Sequence, residues 1–509
     1  MVVEMLQVGS ERHAPGRSWA PGRQREETMS DDSRRPILVL LTSHWVSMLG
    51  VALVTTAGFS WLFVLPIQLR GHASNPYIGI VVFIFIPVIF ILGLVLIALG
   101  VFLARRRIET AEQALLATAN RRTVIRRLAI FFAATTAINI VIGTQGTYRA
   151  VQHMETPQFC GQSCHVMKPE FIAHENSPHA RVECVDCHVA PGAVGWVESK
   201  KAGTRQLMDV VFHRVHYPIE SAMESNRLVP SRDTCEQCHW PQKFDAVKLR
   251  VIFHFQDDAA NTQTQTVLMM LTGGGDLGGI HGKHVGPGVQ IRYAAADPRR
   301  QTIPWVEYRK QGTGEIRTFL ADGSTAQSVA NLPRHQMQCV DCHNRPTHTF
   351  ELPERAVDGA MGLGRISPTL PFIKKKAIEL LKAKYSSNEE ASRSIPATLA
   401  SFYQQTDPAT SSQRAREIAD AGQEIAAIYN RNVFPDLKVT WGTYPNNLGH
   451  ADFPGCFRCH DGSHSTSDQK MTITQDCNTC HEPLAIEEAN PALLKTLGLA
   501  ERIAGLQKR

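Results

Sequence analysis

The sequence predicts a membrane-anchored fold of two unlike parts. One is an anchor of three transmembrane helices, and the other is a larger polar region that is mostly α-helical with a small β-rich insert. Long apolar runs occur only in the first third of the 509 residues, and all 12 cysteines lie in the polar remainder. Composition therefore predicts five segments. They are a tail (1–36), the anchor (37–146), two cysteine-bearing segments (147–240 and 336–509) and the β-rich insert between those two (241–335).

Three apolar stretches make up the predicted anchor, at residues 37–66, 77–103 and 128–146. Each approaches or exceeds the roughly 20 residues that an α-helix needs to cross a bilayer. A cleavable signal peptide is a weaker interpretation of the first stretch, because the stretch is long and another one follows it directly. Residues 1–36 are rich in Arg, Glu and Ser, and we predict that they are disordered.

The arginines predict the orientation of the anchor. Arg34 and Arg35 precede the first stretch, and Arg70 is the one Lys or Arg between the first and the second. The loop between the second and third stretches holds seven arginines: Arg105, Arg106, Arg107, Arg121, Arg122, Arg126 and Arg127. Because positively charged loops stay on the cytoplasmic side, we predict that the tail and this loop are cytoplasmic. Everything after Gly146 would then lie outside.

The 12 cysteines form six pairs, and a histidine directly follows every pair. Five pairs have two residues between the cysteines, and the first pair has three. The motifs are Cys160/Cys164/His165, Cys184/Cys187/His188, Cys235/Cys238/His239, Cys339/Cys342/His343, Cys456/Cys459/His460 and Cys477/Cys480/His481. This is the attachment motif of c-type haem. Two thiols bond to the porphyrin and the histidine ligates its iron, so the sequence predicts six covalently bound haem c groups.

Two other interpretations of the cysteine pairs remain open. Structural zinc also binds Cys-x-x-Cys and His, but it does not require His at one fixed position after every pair. A disulfide framework suits an oxidising compartment, but it leaves the histidines unexplained. The expanded first motif is the least regular of the six.

The spacing of the motifs predicts how the polar region is built. The first two motifs are under 20 residues apart, and so are the last two. This leaves no room for a separate protein core around each haem, so the haems themselves should form much of the core. The predicted fold class is therefore a membrane-anchored multihaem cytochrome with a haem-packed periplasmic region. Bacteria attach c-type haem on the outer face of the inner membrane, which agrees with the orientation that the arginines predict.

Two stretches without motifs should carry regular secondary structure. Alternating apolar residues at 247–255 and 290–293 predict strands of the β-rich insert. Apolar spacing at 372–382 and 414–429 predicts helices within 351–432. Pro396, Pro408 and Pro435 should mark helix breaks or ends.

Electron-transfer haems need a second axial ligand, usually His or Met. From their positions near motifs or in a Gly-rich loop, the predicted histidine ligands are His179, His284, His348, His450 and His464, and His216 is a further candidate. His281 lies in the same Gly-rich loop as His284. His213 and His216 are spaced by one helical turn, so at most one of them should bind iron. Met167, two residues after His165, is a candidate thioether ligand.

The first two motifs and their surroundings resemble the NapC/NirT family of membrane-anchored multihaem cytochromes. The resemblance lies in Phe159-Cys-Gly-Gln-Ser-Cys-His-Val-Met167, Ser177-Pro-His179 and Cys184-Val-Asp-Cys-His-Val189. The longer chain is similar to the larger inner-membrane members of metal-reducing bacteria. The resemblance implies oxidation of menaquinol and transfer of its electrons to periplasmic c-type cytochromes. Small members of the family have one membrane helix and usually four haems, so three spans and six motifs are departures from the pattern.

A quinol site is expected on the segment after the second motif. Residues 196–209 fit a helix near the membrane surface, on which Lys201 and Asp209 fall on broadly one face. The resemblance implies that a lysine and an acidic residue lie near the quinone, so Lys200, Lys201 and Asp209 are the candidate catalytic residues. The alternative is a solvated basic face that contacts lipid headgroups.

Other functions remain open from the sequence. The chain could be the electron donor of a periplasmic nitrate, nitrite or N-oxide reductase, a terminal multihaem reductase, or a cytochrome that only stores electrons. A net charge of +6, without a basic stripe, does not indicate nucleic acid as a partner. The expected partners are the membrane, menaquinol and periplasmic c-type cytochromes, and self-association into a homo-oligomer is left open.

Overall fold

A computed structural model describes residues 44–69, 85–118, 126, 129–130, 133–137, 139–162, 165–225, 228–241, 244, 247–274 and 278–507. The predicted tail 1–36 lies outside these residues, and so does Cys164. By its internal contacts the chain divides into two compact units. One comprises 1–52 and 92–132, and the other comprises 53–91 and 133–509.

The anchor begins with helices α1 (Trp45–Leu69) and α2 (Ile86–Thr118). Among the described helices, α2 is long and apolar enough to cross a membrane over Ile86–Leu103, and the apolar stretch of α1, Trp45–Ser60, is shorter. Within the first unit the two helices pack closely at Gly100. A Cβ added to this residue would lie 2.3 Å from the Ser47 backbone nitrogen. Small residues allow such close approach of membrane helices.

The third predicted span, 128–146, is described only in part. A helical turn at 133–137 precedes a π-helical turn at Asn139–Gly143. Asn139 is buried, donates to Thr55 Oγ1 at 2.9 Å and accepts from Thr56 Oγ1. The polar Asn139 side chain is therefore satisfied by hydrogen bonds to α1. Polar side chains in membrane helices commonly form such bonds to a neighbouring helix. Three spans remain a prediction.

Short helices follow the anchor. The chain continues as α3 (Thr144–Glu155), α4 (Pro157–Gln162), α5 (Lys168–Glu175), α6 (Cys184–His188) and α7 (Gly192–Val211). Because α3 runs on to Glu155, helical structure extends past the end predicted for the anchor at residue 146.

Two antiparallel sheets follow. Their strands are β1 (Lys248–Phe255), β2 (Gln263–Met270), β3 (Val289–Ala294), β4 (Trp305–Lys310), β5 (Glu315–Leu320), β6 (Arg334–Gln336) and β7 (His481–Glu488). The strand orders are β1-β2-β7 and β5-β4-β3-β6. The predicted strands 247–255 and 290–293 are confirmed as β1 and β3. A short helix, α8 (Gly279–His284), lies between β2 and β3.

Strand β7 was not anticipated from the sequence. It follows the sixth motif directly and pairs with β2, so the first sheet joins the insert to the C-terminal segment. Six of its eight residues are exposed, and two register shifts interrupt the pairing. Exposure of both faces removes the alternation of apolar and polar residues by which a strand is recognised.

The predicted helical block at 351–432 is confirmed. After the short helix α9 (Cys339–Cys342), it comprises α10 (Pro353–Gly362), α11 (Ile373–Lys382), α12 (Asn388–Thr406), α13 (Pro408–Gln413) and α14 (Ala415–Asn432). Two further helices, α15 (Ala492–Thr496) and α16 (Leu499–Gln507), end the described chain. The core of the block includes the fully buried Ile395, Leu399, Ile425 and Ile428.

One predicted helix break is wrong. Pro408 and Pro435 do stand at element starts, but Pro396 lies inside α12. Gly422 of α14 packs against it so closely that an added Cβ would lie 2.9 Å from the Pro396 Cα. The burial of α12 against α14 offsets the backbone hydrogen bond that proline cannot make.

Truncating the core of this block should destabilise the protein. Leu399→Ala is expected to lower the free energy of unfolding by about 2–5 kcal/mol, because it removes buried methyl groups and leaves a cavity. Denaturant unfolding of the detergent-solubilised protein, followed by circular dichroism, measures the loss. Leu363→Ala is the control, since Leu363 is 49% exposed whereas Leu399 is fully buried, and its effect should stay within about 0.5 kcal/mol. Equal effects of the two substitutions would contradict the packing of α12 against α14.

Candidate functional site

Short helical turns present the cysteine motifs. The second and fourth motifs form α6 and α9, and the third, fifth and sixth lie on 3-10 turns at Cys235–Gln237, Gly455–Arg458 and Cys477–Thr479. In the third, fourth and fifth motifs the histidine N–H donates to the carbonyl of the first cysteine, at 2.8, 2.8 and 3.0 Å. This bond closes one turn, which brings the histidine close to both thiols.

The motif cysteines differ in how far protein side chains cover them. Four of the described ones are exposed, and the others are half-buried. The exposed ones are Cys187, Cys238, Cys456 and Cys477. Cys238 follows the 3-10 turn of the third motif, and its N–H donates to the Cys235 carbonyl at 3.1 Å, so the turn presents this residue at the surface. Protein side chains do not enclose these four cysteines, and haem attachment at all twelve motif cysteines stays a prediction.

Five motif histidines each lie next to a second histidine. Their ring centroids are 5.8–6.2 Å apart in the pairs His188–His348, His239–His179, His343–His281, His460–His284 and His481–His450. A metal held between two imidazoles at about 2 Å from each nitrogen places the ring centroids about 6 Å apart. The pairs therefore fit a six-coordinate haem iron, whereas a structural zinc site would bring four ligands together around one point.

Hydrogen bonds orient the second histidine of these pairs. The Nδ1 atoms of four of them donate to backbone carbonyls: His348 to Glu170 (3.0 Å), His284 to Ile280 (2.7 Å), His281 to Gly273 (3.3 Å) and His179 to Pro346 (3.4 Å). Such a bond fixes the tautomer and leaves Nε2 to bind the metal. Burial also lowers the pKa of His188 and of His348 to about 4, so both rings are neutral, as a metal ligand must be.

The structure places some predicted ligands away from the motifs. His464 is buried, but its Nε2 lies 2.7 Å from the Ile303 carbonyl oxygen. His216 is exposed in the loop after α7. Helix α7 ends at Val211 and His213 has a φ of 54°, so the predicted one-turn spacing of His213 and His216 does not exist. Neither His464 nor His216 is brought to a motif histidine.

His281 takes a place that the sequence analysis had not assigned. It is paired with His343, while His284 on the same short helix α8 is paired with His460. The Gly-rich loop indicated that a histidine could approach a motif here, but it did not indicate that both His281 and His284 would each contact a motif histidine. His179 lies just before the second motif in the sequence, but its ring contacts His239 of the third motif.

The first motif is different from the other five. His165 Nε2 lies 2.9 Å from Asp436 Oδ2, so in the described chain His165 meets a carboxylate where the others meet an imidazole. Met167 ends the same 3-10 turn, His165–Met167, and is half-buried. Gly161 is required here, because a Cβ would lie 2.2 Å from the Phe171 side chain.

The motifs neighbour one another in sequence order. A hydrogen bond with Cys160, together with burial, raises the pKa of Cys184. Cys235 adds to burial in raising the pKa of both Cys187 and Cys339. Cys456 does the same to Cys342 and Cys480. Each motif thus has thiols near those of the next, and the six form one continuous series.

The candidate quinol residues lie on one helix. Lys200, Lys201 and Asp209 all belong to α7, which confirms the helix predicted at 196–209. Lys201 is exposed and Asp209 is half-buried. Val194 and Met208 are also exposed, and they stand seven residues before and after Lys201, on the same side of the helix. Val194 and Met208 therefore flank the cation two turns away on either side, with the exposed Glu198 and Arg205 between them.

Known proteins resemble the chain over most of its length. Residues 122–232 match the NapC/NirT cytochrome c family, N-terminal region. The cytochrome c-type protein ImcH of Geobacter sulfurreducens is 39% identical over 459 residues, covering 87% of this chain and 89% of that protein. The cytochrome c nitrite reductase subunit NrfH of Nitratidesulfovibrio vulgaris is 27% identical over 117 residues, covering 22% of this chain and 70% of that protein. No solved structure matches the chain significantly.

These similarities confirm the resemblance predicted from the first two motifs. The matched family region contains both of them together with α7. The relative that aligns over nearly nine-tenths of its length extends the similarity to the later motifs. The chain therefore belongs to the NapC/NirT family of membrane-anchored multihaem c-type cytochromes.

Proposed function

We propose that the protein is a menaquinol dehydrogenase of the bacterial inner membrane that passes electrons to periplasmic c-type cytochromes. The observation that carries the proposal is the continuous series of six motifs, which begins next to the anchor and ends far from it in the sequence. Haem bound at these motifs supplies one-electron acceptance and transfer. We further propose that all three apolar stretches span the membrane, with the motifs on the periplasmic side.

The proposed axial ligands follow the observed pairs. We assign the second to sixth sites to His348, His179, His281, His284 and His450, each with its motif histidine. Two imidazoles at one iron leave no position for a substrate, which favours electron transfer over a terminal reductase at these five sites. The first site differs, with Met167 as a candidate ligand and Asp436 beside His165.

Helix α7 carries the proposed quinol chemistry. Oxidation of a quinol releases two electrons and two protons, so a proton acceptor must lie at the site. Asp209 would accept a proton, and Lys201 would stabilise the developing quinol anion. The exposed Val194 and Met208 would face the acyl region from which an apolar quinol arrives. Lys200 would support the same site through its charge.

Reduction by a menaquinol analogue tests the proposal. Lys201→Ala and Asp209→Asn are each expected to lower kcat/KM for quinol about 100-fold, because the first removes the cation that stabilises the quinol anion and the second removes the proton acceptor. The absorbance of reduced haem measures the rate. Dithionite should still reduce both variants fully, and Lys470→Ala and Asp420→Asn, two exposed changes far along the chain, should leave the rate unchanged.

Two results would contradict this assignment. Full activity in both α7 variants would place the quinol site elsewhere. A wild-type protein that menaquinol does not reduce at all would favour a cytochrome that only stores electrons.

The C-terminal end supports a soluble electron acceptor. Residues 471–494 contain Asp476, Glu482, Glu487 and Glu488 and no Lys or Arg, and all four carboxylates are exposed around the sixth motif. Opposite charges speed the encounter of two proteins, and salt screens this effect. NrfH bears the name of a nitrite reductase subunit, but it aligns with only 22% of this chain, so its partner carries less weight here.

Electron transfer to a lysine-rich mitochondrial cytochrome c should therefore depend on salt. We expect the second-order rate constant to fall at least about tenfold between low and high ionic strength. Stopped-flow mixing of the dithionite-reduced protein measures it. The triple change Glu482→Gln, Glu487→Gln and Glu488→Gln should flatten this dependence, and Asp420→Asn should not. Equal slopes for the two proteins would place the acceptor surface elsewhere.

A further inference from the structure

The fourth and fifth motifs are joined through the residues between their cysteines. The third position of the fourth motif is Asp341, and the same position of the fifth is Arg458. Arg458 Nη2 donates to the Asp341 backbone oxygen at 2.7 Å, and its Nη1 donates to the Arg300 backbone oxygen at 2.8 Å. Its Nε donates to Gly455 of its own motif at 2.9 Å. One guanidinium thus bonds three separate segments.

Asp341 is held as firmly on its other side. The residue is 2% exposed, and its carboxylate accepts from Arg300 Nη1 at 3.0 Å, from the Tyr293 hydroxyl and from the Gln338 backbone N–H at 2.7 Å. The Asn447 amide adds a bond of 3.1 Å to the backbone oxygen. We call Arg458, Asp341 and Arg300 the motif bridge. Its hydrogen bonds use planar donor groups that a lysine cannot replace.

The charges of the motif bridge do not cancel. Arg300 and Asp341 form a buried ion pair, with side chains 12% and 3% exposed. Arg458 adds one more positive charge, and its Nε, Nη1 and Nη2 atoms donate to neutral backbone oxygens. Arg458 directly precedes Cys459, and it is bonded to Asp341, which directly precedes Cys342. A fixed cation thus lies beside the attachment points of two neighbouring sites.

We propose that Arg458 is a positioning residue for electron transfer between the fourth and fifth sites. Through the motif bridge it holds the two motifs at one separation, and its charge raises the reduction potential of both. The step concerned is the movement of one electron from the iron of the fourth site to the iron of the fifth, with no bond made or broken and no proton moved. This inference rests on the proposed function only in that both sites hold haem.

Redox titration of the purified protein, followed by visible and paramagnetic resonance spectra, tests the proposal. Arg458→Met should lower the potentials of two of the haems, with about a tenfold change in the ferric-to-ferrous ratio, or 59 mV. Asp341→Asn should shift the same two upward, since it leaves two arginines without a counter-charge. A purely structural role would not give shifts of opposite sign. Arg414→Met, which removes an arginine bonded to Glu417 and Thr369 in the helical block, is the control.

Arg458→Lys separates charge from geometry. The charge remains, so the two potentials should stay within about threefold of wild type in the ferric-to-ferrous ratio. The three carbonyl bonds cannot all be kept, so the magnetic coupling between the two neighbouring sites should change. If Arg458→Met assembles with less covalent haem, the Arg458→Lys variant alone tests the proposal.

Three results would overturn the proposal. They are unchanged potentials in Arg458→Met, a common shift of all the haems, and a Lys variant identical to wild type in both coupling and potentials. Dithionite and mediators replace quinol throughout, so failure here is distinct from failure of the quinol dehydrogenase assignment.

Discussion

Replacing His281 with alanine is expected to convert one of the six proposed haems from the low-spin to the high-spin form. His281 is paired with His343, at a centroid distance of 6.2 Å and an angle of 12° between the rings, and its Nδ1 is bonded to the Gly273 oxygen. Removing the imidazole leaves the iron of the fourth site with one axial ligand. The ferric protein should then show a high-spin resonance signal of about one-sixth of total haem, and added imidazole should abolish it.

His464→Ala is the matched control for this experiment. His464 is the more prominent candidate in the sequence, because it stands directly after the fifth motif, but its ring is bonded to Ile303 and lies near Asp461. All haems should stay low-spin in that variant. A high-spin signal from His464→Ala and none from His281→Ala would reverse the assignment and restore the choice made from sequence alone.

A second large effect is expected from Glu170→Ala. Glu170 and Arg345 form an ion pair whose side chains are 10% and 7% exposed, and the guanidinium lies 4.0 Å from the Tyr444 ring centre. Removing the carboxylate leaves a buried cation without a counter-charge, which costs about 3–5 kcal/mol of unfolding free energy. Denaturant unfolding of the solubilised protein measures the loss.

Asp420→Ala provides the comparison. Its partner Arg416 is almost fully exposed at 95%, and such surface pairs contribute about 0–1 kcal/mol. His348 should remain a ligand in Glu170→Ala, because its Nδ1 donates to the backbone oxygen of residue 170, which the substitution retains. A low-spin spectrum together with lowered stability is therefore the expected combination. Comparable stability losses in the two variants would show that burial of the Glu170 pair has little importance.

The sequence predicted what depends on local spacing. A cysteine pair followed by histidine is read within five or six residues, and the helices of 351–432 follow from apolar periodicity. The helix break predicted at Pro396 was wrong because the residue that packs against it, Gly422, lies on another helix. Strand β7 was not predicted because its residues, exposed on both faces, do not alternate between apolar and polar side chains.

The second axial ligands were less accessible for a related reason. The ring that approaches His188 comes from His348, and the one near His239 comes from His179. Proximity to a motif in the sequence favoured His464, whereas tertiary packing places His281 beside a motif histidine. Which histidines come together depends on contacts between distant segments, which no local pattern contains.

The histidine pairs also imply an order of maturation. If the segment after residue 146 crosses the membrane starting from its anchored end, as the predicted topology requires, His179 is delivered before His239, His281 before His343, His284 before His460, and His450 before His481. Those four sites have both imidazoles on the periplasmic side as soon as their own cysteines emerge. The second site must wait for His348, and the first meets Asp436 later still. The two sites nearest the anchor in the sequence are therefore completed only after the fourth motif has emerged, although their own cysteines emerge first.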